Sequence, residues 1–167
     1  RRFMKAVEAI PGCGIGADVM TGYPGEGKQE FEEMYRFVEE LPAAYLHEFT
    51  CSLRPGTMLS RQVAGKELLQ VPHAEVSERA AMLGELGGRI ERRFASSFVG
   101  RRLSVLFEDG SAAENGMTAW SGYSGNYLRV DVMVDSDSAV GKMKGEVREV
   151  LVERLGDGLH LQGRLLS

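Results

Sequence analysis

The chain has only two cysteines, Cys13 and Cys51, in 167 residues. Two thiols are too few for a disulfide framework or a closed structural metal site, and they suit a reducing compartment. No apolar stretch approaches the roughly 20 residues that cross a bilayer, and no signal peptide opens the sequence. A cytoplasmic location is therefore expected. Positive charge is not in excess either: the net charge is −4, and residues 99–167 hold 8 Lys/Arg against 10 Asp/Glu. No segment reads as a basic, nucleic-acid-binding domain on charge alone. Internal repeats and low-complexity tracts are lacking. The first residue is Arg1 rather than Met, and Arg1–Ile10 already has the pattern of a helix, with Phe3, Val7 and Ile10 on one face. The expectation is a chain that begins inside an element, either because the sequence is truncated or because a natural partner segment is missing.

With 43% hydrophobic and 26% charged residues, the chain can bury a core. Ile15–Thr21 is a short apolar run bounded by glycines, which predicts a buried strand. Gly22-Tyr23-Pro24-Gly25-Glu26-Gly27 is dense in turn residues. Lys28–Leu41 predicts an amphipathic helix with Phe31, Met34, Tyr35, Val38 and Leu41 on its apolar face, ended by Pro42. Tyr45–Thr50 predicts a second strand, leaving through a rigid loop, Ser52–Thr57. Strand, loop, helix, strand is the βαβ pattern of a parallel sheet or barrel. Two strands make no stable sheet alone, which fits an upstream segment being absent.

Residues 75–98 predict a connector helix with Val76, Ala80, Leu83, Gly87, Ile90 and Phe94 in one stripe. Beyond Gly100 come five short strand-like segments: Leu103–Phe107, Met117–Ser121, Tyr127–Val134, Glu146–Val152 and Leu159–Leu166. Turn signals separate them at Asp109-Gly110, Asn115-Gly116, Gly141 and Gly156-Asp157-Gly158. Five strands in about 65 residues suggest a small closed barrel of OB-like size.

Four stretches then carry a resemblance. IGADVMTGYPGE (Ile15–Glu26), with Phe31-Glu32-Glu33 after it, resembles the fifth strand and loop of the radical-SAM methylthiotransferase barrel, D-x-I-x-G-F-P-G-E-T. LPAAYLHEFTCSLRPGT (Leu41–Thr57) resembles that family's sixth-strand signature. Ser77–Glu108 resembles the linker helix and first strand of its appended TRAM domain, and Gly122–Val132 resembles that domain's T-x-N-Y-x-x-V motif. The four occur in the family's order and cover nearly the whole chain. The resemblance implies an α/β plus β fold: C-terminal βα units of a radical-SAM partial TIM barrel (residues 1–74), a linker helix (75–98) and a small OB-like TRAM β-barrel (99–167). Leu41-Pro42 and Tyr45-Leu46-His47 look most like the branch acting on threonylcarbamoyladenosine beside the tRNA anticodon. The isopentenyladenosine and ribosomal-protein branches are the alternatives. The chain departs from the family pattern at Gly27, where Thr is usual, at Cys51, where Tyr is common, and at Thr21, where Val or Ile is common. It also lacks the three-cysteine cluster motif.

The family's chemistry uses S-adenosylmethionine and iron–sulfur clusters. Cluster ligation takes at least three thiolates, which Cys13 and Cys51 do not supply, so no catalytic or metal-binding residue is expected here and the chain alone is expected to be inactive. Functional groups of such barrels lie on loops after strand C-termini. By resemblance Thr21, Gly22, Tyr23, Pro24, Gly25 and Glu26 lie near the adenosyl part of S-adenosylmethionine, and Arg54 lines the mouth. The competing readings are structural: Gly22, Pro24 and Gly25 make a tight turn, Glu26 is a favourable charge at a helix start, and Arg54 pairs with a surface acid. Asp18 in an apolar strand needs a partner, and His47 reads as a hydrogen-bonded core residue. For RNA, the candidates are Arg101, Arg102, Trp120, Tyr123, Tyr127 and Arg129, since aromatics stack on bases and arginines neutralise phosphates. Alternate aromatics could equally fill the barrel core, and for Tyr127 the two readings balance. The implied partners are tRNA and the missing N-terminal portion of the same enzyme. A non-catalytic RNA-binding module, or a truncated relic, is the rival to the enzymatic reading.

Overall fold

The computed structural model describes residues 2–113, 116–136 and 143–166. The chain divides into two compact units. The first comprises the residues through Ala9 and Ile15–Glu91, and the second comprises Ile10–Gly14 and the residues from Arg92 onward.

In the first unit α1 (Arg2–Ala9) precedes β1 (Gly16–Thr21), α2 (Lys28–Glu40), β2 (Tyr45–Thr50), α3 (Met58–Ala64) and most of α4 (His73–Ser96). The strands β1 and β2 pair in parallel, from Gly16 opposite Tyr45 to Thr21 opposite Thr50. Side chains alternate along a strand. Val19, Thr21 and Leu46 are buried on one face, while Asp18, Met20, Tyr45, His47 and Phe49 are exposed. Phe31 and Val38 of α2 and Leu83, Leu86 and Ile90 of α4 complete this core. The α2 helix starts at Gly27, whose amide donates to Glu30 Oε2 at 3.0 Å; no side chain caps the opposite way. It ends at Leu41, which takes the extended conformation expected of a residue preceding proline. The α3 helix was not expected from periodicity. It has no buried residue, and its start is fixed by Thr57 Oγ1 accepting from the Ser60 amide at 3.2 Å.

His47 corrects the reading of a core histidine. Its side chain is largely exposed, 3.4 Å from the equally exposed Asp18 on the neighbouring strand. Their register pairing, Asp18 opposite His47, puts both on the outer face.

The second unit is a closed barrel of five strands in the order β3–β4–β5–β7–β6: β3 (Arg102–Ala112), β4 (Met117–Ser124), β5 (Arg129–Asp135), β6 (Val147–Leu155) and β7 (Leu161–Leu165). All pairings are antiparallel except β5 with β7. Val105, Phe107, Val130, Val132, Met143, Val150, Val152 and Leu161 fill its interior with at most 1% exposure each. Two glycines let strands approach closely. A β-carbon at Gly122 would lie 2.2 Å from the Leu106 carbonyl oxygen, and one at Gly163 would lie 2.3 Å from that of Leu151.

Asp109-Gly110 is not the expected turn. β3 continues through it with a bulge between Phe107 and Asp109, and Gly110 pairs with Trp120. A β-carbon at Gly110 would stand 2.8 Å from the Trp120 ring, so this glycine makes room for an indole. The expected turns at Asn115-Gly116 and Gly141 fall wholly or partly outside the described residues, as does the side chain of Phe3.

Candidate functional site

Two places gather the residues singled out in the sequence, one in each unit. In the first unit the chain leaves β1 at Thr21 and turns through Gly22 and Gly25, with φ of +78° and +91°. Both values lie in the region that L side chains avoid. The loop is tied from both sides: the Gly25 amide donates to the Leu69 carbonyl at 2.8 Å, and the Cys51 amide donates to the Thr21 carbonyl at 2.8 Å.

Glu26 is the centre of this loop. Its Oε1 accepts from Thr21 Oγ1 at 2.9 Å and from Arg79 Nη1 at 2.7 Å, and its Oε2 accepts from the Gly22 amide at 3.1 Å. Arg79 also donates to the Glu26 carbonyl at 3.0 Å and to Glu75 Oε2 at 3.0 Å. Its guanidinium stands 5.4 Å from the Phe31 ring centroid. The side chains of Arg79 and Glu26 are only 8% and 11% exposed, so this is a largely desolvated ion pair with most of its hydrogen-bonding capacity used. Thr21 and Pro24 are buried, whereas Tyr23 and Gly25 face outward. Cys51 sits nearby: its burial, and then the charge of Glu26, raise its thiol above the ordinary cysteine value. Arg54 is exposed, and among the described residues no acid pairs with it.

The loop holds Thr21 to Glu26 together and gives Glu26 to the protein itself. Its carboxylate grips the loop from inside. Arg79 was missed in the sequence. It lies 53 positions away on a helix whose pattern marks it only as an interior charge, and no local signal pairs it with Glu26.

In the second unit Arg101 and Arg102 lie at the start of the barrel, both exposed. Arg101 stands over the Phe98 ring at 5.4 Å. Tyr123 and Arg129 face each other across β4 and β5, with the guanidinium 5.9 Å from the tyrosine ring centroid. Trp120 must be withdrawn as an RNA contact. It is 7% exposed and belongs to the barrel core beneath Gly110. Tyr127 resolves the other way: it is no core residue but 87% exposed. A groove of about 620 Å³ joins Arg101, Arg102, Ser104, Asn126 and Tyr127 to the segment Ile10–Gly14. Of that segment the sequence pattern covers only Ile10, at the end of the expected helix, and nothing in it marks Pro11–Gly14 as a groove wall.

Among the described residues no three His, Cys, Asp or Glu side chains gather as a metal site, and the two cysteines belong to different units. No helix among them is long and apolar enough to cross a membrane.

No protein-family model matches the chain. It is 30% identical over 142 residues, 85% of its length, to the threonylcarbamoyladenosine tRNA methylthiotransferase MtaB of Bacillus subtilis. It is 29% identical over 159 residues, 93% of its length, to the MtaB of Thermotoga maritima. With the tRNA-2-methylthio-N(6)-dimethylallyladenosine synthase of Thermobifida fusca it shares 38% identity over 118 residues, 68% of its length. The matched parts make up 30%, 33% and 23% of these relatives, so the chain spans about a third of their length or less. Over most of its own sequence, the chain is homologous to the tRNA methylthiotransferases.

Proposed function

We propose that this chain is the C-terminal part of a radical-SAM tRNA methylthiotransferase, ending in a TRAM barrel of OB-like design. Its protein adds a methylthio group to the modified adenosine next to the anticodon. The observation that supports this most is the match along 85% of the chain to a protein named for that reaction. The branch acting on threonylcarbamoyladenosine is our reading. A relative named for it is matched over 159 residues, 93% of the chain. The dimethylallyladenosine branch, matched at 38% identity over 118 residues and at 29% over 146, and the ribosomal-protein branch are the alternatives.

S-adenosylmethionine, when bound, supplies the methyl group and the radical of this chemistry. The residues present suit a supporting wall for it: the exposed Tyr23 and Gly25 offer a ring and an open backbone, and Glu26 with Arg79 keeps that loop in shape. They do not suit an iron–sulfur cluster, which needs three thiolates where the chain has two cysteines. Cluster ligands must come from sequence outside this chain, and the chain alone is inactive. The barrel unit contacts tRNA through Arg101, Arg102, Tyr123 and Arg129, and the protein works in the cytoplasm.

The test is nucleoside mass spectrometry of tRNA from cells lacking the gene. Loss of methylthio-threonylcarbamoyladenosine, restored by the gene, is expected. Loss of the dimethylallyl product instead would move the protein to the other branch. Unchanged tRNA would leave the second reading, a non-catalytic RNA-binding module.

A further inference from the structure

The β4–β5 hairpin holds a residue out of place. Its three-residue loop, Gly125-Asn126-Tyr127, is closed by the Ser124 amide on the Leu128 carbonyl at 3.0 Å and the Tyr127 amide on the Ser124 carbonyl at 2.9 Å. The last position of such a loop takes a left-handed conformation, which glycine fills without steric cost. Here Tyr127 fills it, at φ +63°. Burial does not compensate, because its ring is 87% exposed. The loop around it is firmly held. Ser124 Oγ donates to Asn126 Oδ1 at 2.5 Å and accepts from the Leu128 amide at 3.1 Å, and Asn126 Nδ2 donates to the Gly12 carbonyl at 2.9 Å. A strained backbone kept in place by its surroundings, with a bare aromatic ring at its tip, is a pattern found at binding sites.

The groove beside the ring supplies the chemistry. Its lining contains two arginines and no carboxylate, although residues 99–167 carry an acidic excess. Arg101 is oriented by the Phe98 ring beneath it, and neither Arg101 nor Arg102 has an acidic partner among the described residues. Its volume, about 620 Å³, lies in the range of small-ligand sites, about 300–1,000 Å³.

We propose that Tyr127 and this groove form a seat for one unpaired RNA base, stacked on the tyrosine ring, with the neighbouring phosphates on Arg101 and Arg102. The seat rests on the reading of the chain as a tRNA-acting protein, and adds to it the form of RNA recognised. A lone projecting ring can stack only on a base whose face is free, as in a loop or bulge.

The full chain would be titrated with an unmodified anticodon stem-loop RNA carrying a fluorescent adenine analogue in its loop, and with a fully paired RNA duplex. Tyr127→Gly relaxes the backbone while removing the ring. It should fold at least as well as the wild type and bind the stem-loop about 10- to 100-fold more weakly, with the quenching of the analogue lost. Tyr127→Phe should bind as the wild type does. Arg101→Gln with Arg102→Gln should lower the slope of log affinity against log salt by about 1.4, as expected for two phosphates of a single strand. Equal binding by Tyr127→Gly, or equal binding of the duplex, overturns the seat while leaving the wider RNA reading standing. A wild-type chain that binds neither RNA overturns both.

Discussion

Both carboxylate oxygens of Glu26 are taken by its own chain, and Arg79 supplies the strongest of those contacts. Arg79→Met would leave a carboxylate nearly dry and without its cation, so we expect a loss of about 3–5 kcal/mol in urea unfolding. Glu26→Gln combined with Arg79→Met should lose clearly less than the two single losses added together, because the pair is removed as a unit. Cys51 reports on the same spot. The thiolate is the nucleophile, and both burial and Glu26 disfavour it. Its alkylation by iodoacetamide should therefore reach half-maximum above the pH of a free thiol, about 8.5. Glu26→Gln should bring that midpoint only part of the way down, since burial is the larger cause. A midpoint at or below that of a free thiol would contradict the environment described. The glycines, proline and acid of this loop were legible in the sequence because turns demand those residue types. The grip of Arg79 was not, because an ion pair across 53 positions leaves no local trace.

At the scale of elements, α4 has spare stability. Gly88 sits inside the helix with open space where a β-carbon would go, so Gly88→Ala should stabilise by about 1 kcal/mol, read from the urea midpoint. Gly122 is the opposite case. Gly122→Val would drive a branched side chain into the Leu106 carbonyl, and we expect a loss of about 3 kcal/mol or more, or failure of the barrel to form. Helix α2 and strand β2 could be read nearly to the residue, since periodicity and Pro42 define them. β3 could not. Asp109-Gly110 is a hairpin signal on local grounds, and only the indole of Trp120 on the next strand explains why a glycine belongs there. The α3 helix was invisible for a related reason: it buries nothing, so no apolar stripe announces it.

At the scale of the molecule, the sequence indicates five strands and a connector but not how the strands close. The parallel β5–β7 pairing, which completes the ring between two otherwise antiparallel runs, joins residues 31 positions apart, such as Val130 and Leu161. The exposed face of β1 and β2 was equally illegible. Each of Met20, Tyr45 and Phe49 follows the expected alternation, and only the fold shows that nothing described here covers them. Charge behaves similarly. A net of −4 argues against nucleic acid, yet the groove in the second unit is locally basic, because geometry rather than composition decides which charges meet.

The second unit is discontinuous. Ile10–Gly14 belongs to it although Ile15–Glu91 intervenes before the rest. A barrel expressed from residue 92 onward, the cut a linear view of the chain would suggest, would keep its five strands but lose the Gly12 carbonyl that receives the Asn126 amide. Such a truncated barrel should still fold while its Gly125–Tyr127 loop exchanges amide protons faster. Modularity here is a property of the strands, and the groove beside them is borrowed from earlier in the chain.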